Sequence, residues 1–299
     1  MNTENKLSQR KSKNLHKSPL VLAIFRLIFR YVGAVLPGLT GRWAYHLWFL
    51  THRLPTPKRE QGWIASAKSE VLNINGLKVM THYWTSENNA PDAALIMLVH
   101  GWTGRGSQMG ALAEPLLKAG FRVLSFDNHS HGQTPGKAST IFKQSEVQRG
   151  LAEKFGAIYT VIAHSFGGMV TAYSLSHGME TKRVVCLSPP SRFDFLLERF
   201  SRTLHLPKQI QCYMVKRFNK DYGEDLAERV SATTTAQQLG HIPLLIIHDE
   251  NDNDVPISES ELLHQAWPNS QLKRTKELGH RSILYNEKVI EDIVGFLTQ

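Results

Sequence analysis

Short apolar runs alternate with longer helical patterns along most of this chain. Four runs are rich in valine, isoleucine and leucine and lack the polar alternation of a sheet with one solvated face. These runs are residues 94–100, 122–127, 159–163 and 183–188. Helical patterns separate them at 109–118, 144–155 and 169–177. This order predicts a parallel sheet that is covered by helices on both faces.

Further strand signals extend the predicted sheet at both ends. Runs 69–74 and 77–85 are joined by Asn75-Gly76, which predicts a hairpin because both turn positions favour positive φ. Runs 243–248 and 271–277 each precede a helical pattern. The sequence therefore predicts a mostly parallel sheet of eight strands with flanking helices.

Between residues 190 and 240 the alternation stops. Helical signals occur at 193–204 and 209–218, and no clear strand separates them. An insertion between two strands of an open α/β sheet covers the carboxyl ends of the strands, where such sheets bind ligands. We therefore predict a small helical cap at about residues 190–240.

Composition and charge limit the partners. The chain has 299 residues, of which 41% are hydrophobic and 20% charged, as is typical of a folded protein. The net charge of +9 arises entirely in residues 1–60, which hold 11 Lys/Arg and 2 Asp/Glu. The remainder is neutral, so we predict no nucleic-acid partner. Cys186 and Cys212 form no disulfide framework and fit a reducing compartment, from which we expect a cytoplasmic protein.

The N-terminal segment is basic and then apolar. Residues 1–18 are predicted to form a flexible tail. Residues 19–35 are apolar except for Arg26 and Arg30, which share one helical face and argue against a membrane-spanning helix. A signal peptide would need an unbroken apolar core and a cleavage site. We therefore predict a basic tail with an amphipathic helical extension over residues 1–60, followed by one domain over 61–299.

Two interpretations of this extension remain open. Residues 19–50, which include an aromatic-rich run at 42–50, could lie on the inner face of the membrane. Alternatively, both apolar stretches could pack on the main domain, as most amphipathic helices do.

A serine lies at the junction of a predicted strand and a predicted helix. The run V-I-A-H-S-F-G-G-M-V, residues 161–170, places Ser165 between Ala163 and the pair Gly167-Gly168. It resembles the small-x-Ser-x-small turn of the α/β-hydrolase family, in which strand and helix approach closely and present a nucleophilic serine. Ala163 stands where glycine is more usual.

The same resemblance implies an acid and a base. The run P-L-L-I-I-H-D-E-N-D-N-D-V-P, residues 243–256, resembles the family's strand followed by G-x-x-D-x-x-V-P and implies Asp252 as the acid. Asp249 takes the glycine position, where Asp can adopt a left-handed conformation. Asp254 is an alternative acid, and Asp194 is a more distant one. The run L-G-H-R-S-I-L, residues 278–284, implies His280 as the base.

Two further loops match the family. The run L-V-H-G-W-T-G, residues 98–104, resembles the His-Gly loop and implies an oxyanion hole formed by the backbone N–H groups of Trp102 and Phe166. The run F-D-N-H-S-H-G-Q-T-P-G, residues 126–136, resembles the structural D-x-x-G-H-G-x-S loop, with Ser130 in a glycine position. His129 and His131 also form an H-x-H pair, but no further ligand has credible spacing, so we predict no metal site.

Four matches in the family's order over residues 65–299 identify the chain as similar to the serine-hydrolase, esterase- and lipase-like branch. The resemblance implies an α/β-hydrolase fold and ester hydrolysis through a Ser-His-Asp triad and an acyl-enzyme, without a cofactor. We expect a small-molecule ester with a small or medium apolar acyl group. Apolar residues of the predicted cap could line its pocket or could dock a helix: Phe193, Phe195, Leu196, Leu197 and Phe200.

The triad leaves other functions open. A thioesterase, an amidase or an acyltransferase would use the same residues. A non-catalytic protein with this fold could bind a ligand under the cap.

Overall fold

The computed structural model describes residues 19–86, 90 and 92–299, so the predicted tail lies outside the described residues. Eight strands form one sheet: β1 (Lys68–Ile74), β2 (Leu77–Trp84), β3 (Leu95–Val99), β4 (Arg122–Phe126), β5 (Ile158–His164), β6 (Thr181–Leu187), β7 (Leu244–Asp249) and β8 (Ser270–Thr275). Their order is β1-β2-β4-β3-β5-β6-β7-β8. β1 and β2 are antiparallel to their neighbours, and the other six strands run parallel. The predicted eight-stranded, mostly parallel sheet is therefore confirmed.

Helices precede the sheet, connect its strands and follow it. They are α1 (Pro19–Val35), α2 (Pro37–Phe49), α3 (Lys58–Ala65), α4 (Ala113–Lys118), α5 (Ile141–Phe155), α6 (Phe166–Ser176), α7 (Phe193–Leu204), α8 (Lys208–Tyr222), α9 (Leu226–Val230), α10 (Ala232–Thr235), α11 (Ile257–Ala266), α12 (Gly279–Ser282) and α13 (Glu287–Leu297). Short 3₁₀ helices lie at Gly106–Leu112 and Ile283–Tyr285. Among the described residues, no helix combines the length and the apolar character needed to cross a bilayer.

The predicted hairpin is confirmed at the turn between β1 and β2. Asn75 has φ 50° and Gly76 has φ 84°, the positive values that a two-residue hairpin turn requires. Asn73 Oδ1 accepts a hydrogen bond from the Gly76 N–H at 2.9 Å.

The helix predicted at 109–118 differs from the structure. The segment begins as the 3₁₀ helix Gly106–Leu112, and α4 starts only at Ala113. Pro115 lies in the first turn of α4. Backbone N–H groups in the first turn have no intrahelical acceptor, so proline, which lacks an N–H, is tolerated there. An α-helix that began at Met109 would place this proline in its interior.

The sheet separates two apolar cores because successive side chains of a strand point to opposite faces. In β3, Leu95, Met97 and Val99 belong to one core, while Ile96 and Leu98 belong to the other. The first core also contains Phe29 of α1 and Tyr45 of α2. Helices α1 and α2 therefore pack on the same face of the sheet as α5 and α6.

The extension is also joined to the loop that follows β4. Residues Leu50 and Ala138 form an isolated β-bridge. The Thr51 N–H donates to Lys137 O at 3.0 Å, and the Ser139 N–H donates to Phe49 O at 2.9 Å. These hydrogen bonds tie the end of α2 to the loop that was predicted to be structural.

Helices α7 to α10 lie between β6 and β7, in the stretch predicted to form a cap. The buried carboxylate of Glu259 in α11 accepts hydrogen bonds from the Ser191 and Arg192 N–H groups at 3.0 and 3.2 Å, which fixes the start of α7. Phe193 and Phe200 pack edge-on against Trp48 of α2. For these two residues the structure shows helix docking, the second of the two interpretations.

Candidate active site

Ser165 occupies a strained turn between β5 and α6. Its backbone has φ 53° and ψ −129°, a conformation that non-glycine residues rarely adopt. The Ser165 N–H donates to Leu187 O of β6 at 2.8 Å, and Ser165 O accepts from the Gly168 N–H at 2.9 Å. The turn therefore presents the serine side chain at the carboxyl edge of the sheet.

The glycines around Ser165 allow close approach of backbone segments. A Cβ atom at Gly167 would lie 2.7 Å from His100 O and 2.8 Å from Val99 O, so no side chain fits there. A Cβ atom at Gly101 would lie 2.8 Å from the Cβ of Ser165. Ala163, in the usual glycine position, is completely buried in β5.

The structure brings together the three residues predicted as nucleophile, base and acid. His280 Nε2 lies 2.9 Å from Ser165 Oγ, and His280 Nδ1 lies 2.7 Å from Asp252 Oδ2. The other carboxylate oxygen of Asp252 accepts from the N–H groups of Asp254 and Val255 at 2.7 and 2.9 Å. A continuous hydrogen-bonded chain thus runs from the serine hydroxyl to a buried carboxylate.

The environment of Asp252 favours its anionic form. Burial alone would raise its pKa, but interactions with His248, His280 and the Val255 N–H outweigh burial and hold the pKa well below the usual value. His248 Nε2 lies 3.4 Å from Asp252 Oδ2. An anionic Asp252 can accept the Nδ1–H of His280, which leaves Nε2 free to accept the serine proton.

The two alternative acids lie elsewhere. Asp254 Oδ1 forms an ion pair with the Arg199 guanidinium of α7 at 2.6 Å. Asp194 is exposed in the first turn of α7. Asp252 is therefore the one of the three proposed acids that contacts His280.

The two predicted oxyanion donors flank Ser165. Within the described residues, the N–H groups of Trp102 and Phe166 donate to no other backbone group. The two rings contact each other edge to face, with centroids 5.3 Å apart. An unpaired pair of amides beside a nucleophile can stabilise a developing oxyanion.

His100 fixes the loop that carries Trp102. Its Nε2 accepts from the Asn128 N–H at 3.0 Å, so its Nδ1 carries the proton and donates to Gly101 O at 2.7 Å. Complete burial lowers the pKa of His100 to about 4. The ring is therefore neutral and holds a single tautomer at neutral pH.

The loop that follows β4 supports the same region. The Asp127 carboxylate accepts from the Gly106 and Gln133 N–H groups at 2.7 and 2.6 Å. Ser130 has φ 64°, the left-handed conformation expected at a glycine position. His131 Nδ1 donates to His129 O at 2.8 Å. The described residues contain no group of three or more His, Cys, Asp or Glu side chains that could hold a metal ion.

Sequence reasoning gave Asp249 the wrong role. Its φ is not positive, because it continues β7 as an ordinary strand residue. Its Oδ2 accepts from Thr275 Oγ1 at 2.8 Å and from the Leu278 N–H at 3.0 Å, while Oδ1 accepts from the Asn251 N–H at 3.0 Å. The carboxylate therefore connects the loop of Asp252 to the loop of His280.

A signal for this role was present in the sequence. Asp and Asn side chains often accept a hydrogen bond from the N–H two residues later. Both Asp249 and Asp252 do so, toward Asn251 and Asp254. The spacing D-x-N-D-x-D could have indicated carboxylates that organise their own loop.

His164 is a second residue that sequence reasoning missed. Its Nε2 lies 2.8 Å from the backbone oxygen of His280, and the centroids of the two rings are 4.7 Å apart. Complete burial, followed by repulsion from His280, lowers the pKa of His164 to about 3. The neutral ring donates to the carbonyl and helps to hold the base beside the serine.

Comparisons with known proteins give the family of the chain and its fold. A family model described as "Alpha/beta hydrolase family" matches residues 96–292. A pimeloyl-[acyl-carrier protein] methyl ester esterase of Aromatoleum aromaticum is 23% identical over 256 residues, which cover 69% of this chain and 99% of that protein.

Solved structures of esterases share the fold. Est1E of Butyrivibrio proteoclasticus with bound ferulic acid has a TM-score of 0.59 at 19% identity, covering 76% of this chain and 96% of that chain. An esterase of Pyrococcus furiosus has a TM-score of 0.61 at 22% identity. The match covers 84% of this chain and 97% of that chain.

Proposed function

This chain belongs to the alpha/beta hydrolase family, and we propose that it is a serine hydrolase that cleaves carboxylic esters with a small or medium apolar acyl group. The hydrogen-bonded chain from Ser165 through His280 to Asp252 carries this proposal. Ser165 is the nucleophile, His280 the general base and Asp252 the acid that orients the imidazole.

In the first half of the reaction, Ser165 Oγ attacks the ester carbonyl carbon while its proton moves to His280 Nε2. Asp252 stabilises the imidazolium that forms. The N–H groups of Trp102 and Phe166 bind the oxyanion of the tetrahedral intermediate. The bond to the alkoxy oxygen then breaks, His280 protonates the departing alcohol, and the acyl group remains on Ser165.

In the second half, water replaces the alcohol. His280 takes a proton from the water, and the hydroxide attacks the acyl carbon. The bond to Ser165 Oγ breaks, the serine regains its proton from His280, and the carboxylic acid leaves. The residues of the chain carry out both halves without a cofactor.

Two observations favour esters as substrates. The half-buried rings of Trp102 and Phe166 stand beside the nucleophile and offer an apolar surface to an acyl group. The relative from Aromatoleum aromaticum is named as a methyl ester esterase. An alcohol also leaves more readily than an amine, which favours ester over amide hydrolysis.

We infer a cytoplasmic location from the cysteines. Cys186 and Cys212 both carry free thiols, as is usual in a reducing compartment.

The test is hydrolysis of p-nitrophenyl esters of increasing acyl length. We expect Ser165→Ala to lower kcat by about 10⁴-fold or more, and Asp252→Asn to lower it by about 10⁴-fold because the base loses its orienting partner. Asp254→Asn is the matched control. Its partly exposed ion pair with Arg199 contributes little, so we expect kcat to stay within about threefold of wild type.

A fluorophosphonate probe separates an enzyme from a binding protein, because only an activated serine reacts. Unlabelled Ser165 together with no turnover of any ester would favour a non-catalytic ligand-binding protein. Equal losses in Asp252→Asn and Asp254→Asn would contradict the assignment of the acid.

A further inference from the structure

Helix α1 is apolar around most of its circumference, yet only one side of it is covered. Leu22, Phe25 and Phe29 pack against the domain. The opposite side exposes large side chains, at 47–77% of their area: Leu20, Ile24, Leu27, Tyr31 and Val35. A helix of a water-soluble domain normally presents polar residues on its outer side, so this face lacks a partner within the described residues.

Helix α2 lies in the same layer, because both helices contact α8 through a glycine. A Cβ atom at Gly33 would lie 2.8 Å from Ile210 Cδ1, and one at Gly41 would lie 2.6 Å from the Tyr213 ring. These close approaches define the inner side of each helix.

The exposed residues lie directly opposite those glycines. Tyr31 and Val35 are two positions from Gly33, and Leu39 and Trp43 are two positions from Gly41. Two positions correspond to about 200° of rotation around an α-helix. Both helices therefore turn exposed apolar side chains away from α8, and together they form one outer apolar surface, which we call the α1–α2 face.

The charged side chains on the two helices of the α1–α2 face are all positive. Arg30 and Arg42 are exposed on the two helices, and residues 5–59 contain no Asp or Glu. The groove between the start of α2 and α8, about 540 Å³ in volume, has Lys208 and Lys216 in its lining. The 18 residues before α1 carry five Lys/Arg and one Glu.

We propose that the α1–α2 face binds the surface of a membrane that contains anionic lipids. Apolar side chains of helices that lie in the plane of a bilayer enter its acyl region, while basic residues contact lipid phosphates. Tyr31 and Trp43 suit this position because their rings favour the boundary between lipid and water. Such attachment needs no membrane-spanning helix.

A second copy of the chain fits this face poorly. In a twofold dimer the same surface of each subunit contacts the other. The basic α1–α2 face would then oppose itself, and without acidic residues the like charges would repel each other. Charge complementarity therefore favours an anionic lipid surface.

Attachment would orient the candidate active site. Helix α1 packs on α7, where Arg26 Nε donates to Thr203 O at 2.9 Å. Helix α7 begins just after β6, the neighbour of β5, which ends directly before Ser165. Attachment through α1 would therefore hold the start of the cap close to the bilayer. The membrane proposal stands independently of the proposed ester hydrolysis.

The experiment is flotation of the full chain with vesicles of phosphatidylcholine alone or mixed with phosphatidylglycerol. We expect binding to the mixed vesicles and at least about tenfold weaker binding to phosphatidylcholine, because the basic residues need anionic headgroups. Leu27→Glu places a charge at the centre of the face and should weaken binding by at least about tenfold.

Val71→Glu is the matched control. Val71 lies on β1 and is 54% exposed, against 55% for Leu27, so the same change of charge is made at a similarly exposed site. We expect its binding to equal wild type. Circular dichroism melting curves of both variants should match wild type, which shows that they fold.

Several outcomes would overturn the proposal. These are no flotation with the mixed vesicles, equal losses in Leu27→Glu and Val71→Glu, or a wild-type dimer that Leu27→Glu dissociates in sedimentation velocity. A further such outcome concerns the double variant Leu27→Glu/Trp43→Glu. If this variant still floats with the mixed vesicles and is released only by added salt, basic residues alone attach the chain and the apolar face has no role.

Discussion

Ser165 and the pair formed by Asp252 and His280 are held in place by different means. The turn of Ser165 depends on backbone segments that approach so closely that Gly101 and Gly167 cannot carry a side chain. The Asp249 carboxylate instead accepts hydrogen bonds from the loop of Asp252 and from the loop of His280, and His164 donates to the His280 carbonyl. The first arrangement requires small residues at fixed spacing, whereas the second requires polar partners that are distant in sequence.

Among substitutions that leave Ser165, Asp252 and His280 in place, the largest effect should come from filling the backbone contact of the serine turn. Gly167→Ala would place a Cβ atom 2.7 Å from His100 O, so the turn must shift. Overpacking of this kind costs about 1–3 kcal/mol of unfolding free energy, and a displaced nucleophile loses about 100-fold or more in kcat. Ester hydrolysis and urea denaturation measure the two effects.

Gly295→Ala is the control for this substitution. A Cβ atom at Gly295 in α13 meets nothing within 4 Å, and alanine favours a helix over glycine by about 1 kcal/mol. We expect unchanged kcat and a small gain in stability. An active Gly167→Ala enzyme with wild-type stability would show that the turn is not fixed by this contact.

A smaller loss should follow from breaking the side-chain connection between the two loops. Asp249→Ala leaves the Leu278 N–H and Thr275 hydroxyl without their acceptor, which costs about 1–3 kcal/mol. We expect kcat to fall about tenfold with little change in KM, because His280 is less well positioned but substrate contacts remain.

Thr275→Val tests the same connection more mildly. It removes one of the hydrogen bonds to Asp249 and should lower kcat less than Asp249→Ala. Equal activity of Asp249→Ala and wild type would mean that the two loops hold their positions without this carboxylate.

Acid should lower the stability of the fold first through the buried His164 and only at lower pH through Asp252. His164 has a pKa of about 3 in the folded chain against 6.5 ordinarily, so the unfolded chain binds the extra proton as pH falls below about 6.5. For such a histidine, the free energy of unfolding therefore falls by roughly 1.4 kcal/mol for each unit by which the pH is lowered. Asp252, whose folded pKa is lowered from 3.8, contributes a further loss only below about pH 4.

His164→Gln checks this order, because it keeps a donor for the His280 carbonyl and does not titrate. We expect the free energy of unfolding, measured by urea denaturation between about pH 6 and pH 4, to change with pH less steeply than in wild type. The difference in slope should be about 1.4 kcal/mol per pH unit. His241→Gln, the same change at an exposed histidine, is the matched substitution. A slope unaffected by His164→Gln would contradict the neutral, buried state of this histidine.

The sequence was sufficient for features that depend on local patterns. The hairpin follows from Asn75-Gly76, whose positive φ values are intrinsic to those residues. The strands follow from apolar runs without alternation, because both faces of the sheet are buried. The serine turn follows from small residues at fixed spacing around Ser165.

Features that depend on distant partners were beyond the sequence. His164 bonds to a carbonyl 116 residues away, and no local pattern indicates that contact. The resemblance implied Asp252 rather than Asp254 as the acid, but the ion pair of Asp254 with Arg199 of the cap could not be predicted from the local sequence. Which face of α1 is buried depends on α7 and α8, because α1 is apolar on both faces.

The β-bridge between Leu50 and Ala138 and the placement of Phe29 and Tyr45 in the core make the N-terminal extension part of the domain's cooperative unit. A protease cut between α2 and α3 would leave both pieces held together by packing, and separating them would expose apolar core. We therefore expect α1, α2 and the sheet to melt in a single transition, so that these two helices cannot be shed without losing the fold that carries Ser165.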